Sequence, residues 1–67
     1  MKHFLFEEFN SGERFIVGAD YLGEALVIAD GLATEFEFYL EEGETPKILY
    51  LGELTEEEAE ASGLDEY

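Results

Sequence analysis

Between Asp20 and Asp30 the chain carries an apolar stripe at helical spacing together with a start signal, and no other stretch combines the two. Leu22, Ala25, Leu26, Ala29 and Leu32 fall at the three- and four-residue spacing that lines one helix face. Asp20 suits the N-cap, where a carboxylate can accept an amide hydrogen of the first turn and sits at the positive end of the helix dipole. Gly31 suits the stop. A stripe of Leu and Ala needs an apolar surface to lie on, and the aromatic-rich segments on either side are the only candidates. The pattern therefore predicts one helix packed on one small sheet.

Before that helix, Lys2 to Phe9 (KHFLFEEF) is rich in aromatics and free of Gly and Pro, which suits a strand with Phe4 and Phe6 on one face. Asn10, Ser11 and Gly12 supply turn chemistry. Glu13 to Ala19 (ERFIVGA) follows as a second strand, with Gly18 marking a bulge or a close approach of the helix. After the helix, Thr34 to Leu40 (TEFEFYL) alternates with period two and predicts a third strand, Phe36, Phe38 and Leu40 on one side, Glu35, Glu37 and Tyr39 on the other. Phe36, Phe38, Leu26 and Ala29 are then expected to form the core together. Glu41 to Thr45 is a charged loop, Pro46 suits a strand start, and Lys47 to Leu54 (KILYLGEL) is the expected fourth strand. Thr55 with Glu58 three residues later is a capping box, so a short helix should run from Glu56 to about Ala61 and end at Ser62 and Gly63. The expectation is an α+β domain over residues 1–67: a two-layer ββαββα arrangement whose four-stranded, mostly antiparallel sheet carries one packed helix and a short C-terminal helix.

A chain of 67 residues has room for one small core. It has no cysteine, so neither disulfides nor a thiolate metal site can reinforce that core. No apolar run approaches the roughly 20 residues that span a bilayer, and without a recognisable signal peptide the expected location is the cytoplasm. Charge is the extreme property: 18 acidic side chains stand against Lys2, Arg14 and Lys47, a formal net charge of −15. Such a chain repels nucleic acid and anionic membranes, so direct binding to either is not expected. At 46% hydrophobic residues, with six Phe and four Tyr, it is too apolar to remain a solvated coil.

The acidic residues are spread over elements expected to be ordered. On a strand, residues two apart lie about 6.6 to 6.8 Å apart on one face, an interval broadly similar to that between phosphates of a nucleic-acid strand, whose duplex carries one charge per roughly 1.7 Å of axis. Glu35 and Glu37, then Glu41, Glu42 and Glu44, then Glu53, Glu56, Glu57, Glu58 and Glu60 can present anions as a phosphate backbone does. The bland alternative is an acidic surface that only solubilises. Tyr21, Tyr39, Tyr50 and Tyr67, with Leu5 and Leu49, are hardest to fit into one core; an uncovered sheet face would gather some of them, Tyr39 first, into an apolar patch ringed by Glu.

Reaction chemistry has little support. Among 18 acids some pair always stands at any chosen separation, so paired carboxylates carry no specificity. The calcium-loop pattern is missing, and the Glu56 to Glu60 cluster is at most a weak divalent site, better read as a solvated helix face. His3 reads as a strand-end histidine on the surface, and no nucleophile, base and orienting acid assemble around it. Gly18, Gly23 and Gly31 lack the spacing of a phosphate-binding loop. A non-enzymatic protein without cofactor or metal is expected.

The segments FIVGADYLGEALVIAD and YLGELTEEEAEASGLDEY resemble the small acidic open reading frames common in bacteriophage genomes. The resemblance implies a context of host-takeover and anti-defence factors, some of which imitate DNA, and it carries over no site residues. Charge and resemblance together favour an acidic binding protein that imitates nucleic acid and occupies a basic surface of a host or defence protein, one that itself binds nucleic acid. Glu35, Glu37, Tyr39, Glu41, Glu42, Glu44, Glu53, Glu56, Glu57 and Glu60 form the expected contact surface. The alternative is a small structural or assembly protein that self-associates, for instance as a homodimer, or binds a partner through an aromatic sheet face.

Overall fold

Among the described residues, five elements follow one another in the order ββαβα: β1 (Lys2–Glu8), β2 (Arg14–Ala19), α1 (Leu22–Phe36), β3 (Ile48–Leu54) and α2 (Glu56–Ser62). The computed structural model describes the backbone of residues 1–36 and 40–67 and the side chains of 1–34 and 40–67. Among the described residues no helix is long and apolar enough to cross a membrane.

The fold is α+β, but among the described residues the sheet has three strands and not four, in the order β2-β1-β3, with both pairings antiparallel. The expected third strand is the error. Thr34 to Phe36 belong to α1, and residues 37–39 lie outside the described part. The helix runs through Gly31 because its spacing does: Leu22, Ala25, Ala29 and Leu32 are followed in register by Phe36. A mid-helix glycine costs about 1 kcal/mol relative to alanine, less than the packed face returns. The Thr34 hydroxyl also donates to the Gly31 carbonyl at 3.1 Å. The start moves as well. Ala25 donates its amide to the Tyr21 carbonyl at 3.2 Å and the helix begins at Leu22, so the cap position falls on Tyr21 and not on Asp20.

One face of the sheet holds the main core. Phe4 and Phe6 of β1 alternate inward as expected, Phe15, Val17 and Ala19 of β2 join them, and Ala25 and Ala29 of α1 close over them, flanked by Leu22, Ile28, Leu32 and Ile48. Phe6 stacks on Phe15 with ring centroids 5.7 Å apart. Each fully buried apolar side chain of this kind contributes about 1.5–3 kcal/mol. Leu26 is not part of the core. It is 46% exposed, because a helix turns about 100° per residue and the buried arc is centred on Ala25 and Ala29. Of the other residues expected there, Ala29 is buried, while Phe38 and the side chain of Phe36 lie outside the described part.

The opposite face is smaller. Ile16, between Phe15 and Val17, points away from α1, and it and Ala59 of α2 are buried outside the main core. α2 lies against β1 and β3. Its capping box forms as expected: Glu58 donates its amide to the Thr55 hydroxyl at 3.1 Å, and Thr55 donates its own to the Glu58 carboxylate at 3.0 Å.

The two outer edges of the sheet differ. Residues 65–67 run parallel beside β2, where Ile16 donates to Asp65 at 2.9 Å, Tyr67 to Ile16 at 2.8 Å and Gly18 to Tyr67 at 2.8 Å. The ring of Tyr67 meets that of Phe15 edge-on at 5.9 Å. His3, expected on the surface, is half-buried, and its Nδ1 donates to the Glu66 carboxylate. The close neighbours of Gly18 are Met1 and Glu66 and not the helix: a Cβ on it would stand 2.7 Å from Sδ of the exposed, flexible Met1 side chain and in ordinary contact, 3.4 Å, with Glu66 Oε1. The edge beyond β3 has no such cover among the described residues.

Candidate functional site

β3 is the element that assembles the expected acidic surface, and a buried carboxylate fixes where β3 begins. Glu8 continues the inward alternation of Phe4 and Phe6, so its side chain enters the protein with no solvent exposure. Its oxygens accept the Ser11 amide at 2.8 Å and the Lys47 amide at 2.7 Å. Burial alone pushes this carboxyl up; the backbone amides of Lys47, Ser11 and Asn10 and the Ser11 side chain outweigh it and hold the group below its ordinary 4.5. Next to it, Phe9 donates to the Lys47 carbonyl at 2.8 Å and the Asn10 side-chain amide to the Thr45 carbonyl at 2.8 Å. The hairpin turn therefore grips the chain from Thr45 to Lys47 and sets the register in which β3 leaves.

Acidic clusters stand at both ends of that strand. Before it, Glu41, Glu42 and Glu44 are exposed on a turn in which Glu44 donates to the Glu41 carbonyl at 3.0 Å and Glu41 to the Glu44 carboxylate at 2.9 Å. At its far end, Glu53 within β3 and Glu56, Glu57 and Glu60 on α2 are exposed. At about 3.3 Å per residue, the seven residues of β3 span about 20 Å. Among the described residues the ion pairs are His3 with Glu66 and Arg14 with Glu7, the latter at 3.1 Å, so no basic side chain neutralises either cluster. Lys47, the nearest cation in sequence, lies with Nζ 5.3 Å from the centre of the Phe9 ring.

Seven of the ten expected contact residues are thus exposed on the β3 loop, strand end and following helix. The other three are not brought together with them: Glu35 lies in α1 with no described side chain, and Glu37 and Tyr39 lie outside the described residues. Between the clusters are two residues that were not singled out as a pair, Tyr50 and Leu51, exposed at 42% and 43%. Their signal was present in ILYL, a run of apolar residues without alternation in a highly acidic chain. Tyr50 tilts against Phe6 at 5.6 Å and Phe4 at 6.3 Å, which holds its ring at the margin of the core. Leu51 stands at an irregularity: Leu5 pairs with Gly52 and Phe6 with Tyr50, so β3 carries one extra residue there. Gly52 takes φ +146°, which a residue with a side chain rarely adopts.

Such a surface can attract and orient a cationic partner. Among the described residues no group of three or more His, Cys, Asp or Glu is placed to hold a metal ion, the Glu56 to Glu60 cluster included. Comparison of the chain with protein-family models, with curated proteins and with solved structures finds no match.

Proposed function

We propose that this chain is a non-enzymatic acidic binding module that occupies the basic, nucleic-acid-binding surface of another protein, in the manner of a nucleic-acid mimic. One observation supports it above others: exposed, uncompensated carboxylates precede β3 and follow at its far end, and the strand itself spans about 20 Å, the length covered by about six phosphates of one duplex strand. A solubilising surface needs only net charge. A basic groove is matched by charges held at fixed separations on a strand and its flanking turns, as these are. A host or defence protein of a bacteriophage-infected cell is the partner the resemblance suggests.

The test is capture from bacterial lysate at low and high salt, followed by competition with duplex DNA for the captured protein. The proposal requires a nucleic-acid-binding protein that is released by salt and that gives up DNA as this chain is added. Capture that persists at high salt, or a captured protein that keeps its DNA, sinks the proposal.

A further inference from the structure

We propose that the outer edge of β3 is a strand-addition site, and that its occupant is an extended segment of the basic partner with an apolar centre and Lys or Arg at both ends. This rests on the reading that the partner is basic, and adds to it the backbone as a second means of recognition.

The sheet itself argues for the edge. Phe9 donates to the Lys47 carbonyl, and Glu7 stands opposite Leu49. The alternation of an antiparallel ladder then turns the amide and carbonyl of Ile48 and of Tyr50 away from β1, where no described strand meets them. Open edges of this kind template pairing with another chain, and proteins ordinarily blunt them. Residues 65–67 close the β2 edge, and among the described residues no strand pairs with the outer edge of β3. The extra residue at Leu51 interrupts the ladder before pairing resumes at Gly52, Glu53 and Leu54, so the uninterrupted run that leads up to it is Ile48 to Tyr50.

Charge selects the occupant. A second copy would bring 15 further net negative charges against the same two acidic clusters. An extended segment about as long as β3 places its middle over Tyr50 and Leu51 and its ends at Glu41, Glu42 and Glu44 on one side and Glu53, Glu56 and Glu57 on the other. Apolar residues at its centre and cations at its ends satisfy both. Peptides added to a sheet edge take affinity from main-chain hydrogen bonds and specificity from alternate side chains, so such a partner would be held by more than its charge.

The probe is the peptide acetyl-KKVTVTVKK-amide, compared at low salt with the same peptide N-methylated at every central amide, which keeps the charge and removes the donors of both edges. Binding is read by calorimetry, and exchange of the Ile48 and Tyr50 amides by NMR. The expected result is binding of the unmodified peptide about tenfold tighter than the methylated one, as one or two net backbone hydrogen bonds supply, with both amides newly protected. Equal binding of the two peptides without protection overturns the strand-addition site and leaves the basic-partner reading standing. Binding of neither overturns both.

Discussion

Glu8 accepts the backbone amide of Lys47 at 2.7 Å across 39 residues of sequence, with no cation paired to it among the described residues. Replacing Glu8 with Gln keeps the shape but presents an NH2 group to one of the two amides the carboxylate now satisfies. The expected loss is about 2 kcal/mol, within the range for hydrogen bonds to a charged group. Urea denaturation of both proteins measures it, and an unchanged midpoint would remove Glu8 from the forces that place β3.

The same pair carries a pH signature. Glu8 is held below its ordinary value in the folded protein, so the stability it contributes is present above the unfolded value and is lost as pH falls through the folded one. The stability gap between parent and Glu8→Gln should therefore be full near neutral pH and shrink below 4.5. A gap that stays constant from about pH 7 to about pH 3 would show that ionisation is not its source.

Phe6 has no solvent exposure and stacks on Phe15. Phe6→Ala should cost about 3–5 kcal/mol. That is comparable with the whole stability of a domain this small, at about 0.05–0.15 kcal/mol per residue. We expect the variant to lose cooperative thermal unfolding and near-ultraviolet dichroism, and Phe6→Leu to retain both. A cooperative transition in Phe6→Ala would place the centre of the core elsewhere.

Gly31 offers the opposite sign. It lies inside α1, its φ is not positive, and a Cβ there would meet nothing within 4 Å. Gly31→Ala should stabilise the protein by about 0.5–1 kcal/mol, and Thr55→Ala, which removes the α2 cap, should destabilise it by about 1 kcal/mol. Melting temperatures of the two variants should move in opposite directions from the parent.

For the acidic surface, replacing Glu41, Glu42, Glu53 and Glu56 with Gln removes four charges and keeps side-chain shape. If these groups stand in for phosphates, the slope of log affinity against log salt for the basic partner should fall by about one unit for each contact removed. The measurement is affinity at four or more salt concentrations. An unchanged slope would assign the acidity to solubility alone.

How far the sequence could be read depended on how local each signal was. The Thr55 and Glu58 cap and the Phe4 and Phe6 alternation were legible because the residues that interact lie within a turn or a strand of one another. Thr34 to Leu40 misled because two periods overlap there, the alternation of TEFEFYL and the helical spacing arriving from Leu22. As far as Phe36 the second prevailed, since it continues the spacing of Ala25, Ala29 and Leu32, which are packed on the sheet. The role of Glu8 was implicit in its place two residues after Phe6, but its partners lie in a turn and in a strand far along the chain. Of the acidic surface, the exposed part could be named residue by residue; that β3 between its clusters is an outer strand follows from sheet order, which no local pattern encodes.

The closure of the β2 edge by residues 65–67 bears on the order of folding. The β1 and β2 hairpin is joined by the near pair Arg14 and Glu7, seven residues apart, whereas His3 and Glu66 close a span of 63 residues. Loop entropy favours the short closure first, and long-range pairing waits until the rest of the chain has collapsed. The carboxyl-terminal pairing is therefore expected to form after the rate-limiting step, so that loosening it quickens escape from the native state and leaves the rate of reaching it unchanged. Stopped-flow folding and unfolding of Glu66→Ala would separate the two, since a slowed folding arm would put this closure in the nucleus. A protein built this way would owe its persistence to the last strand-like contact it makes.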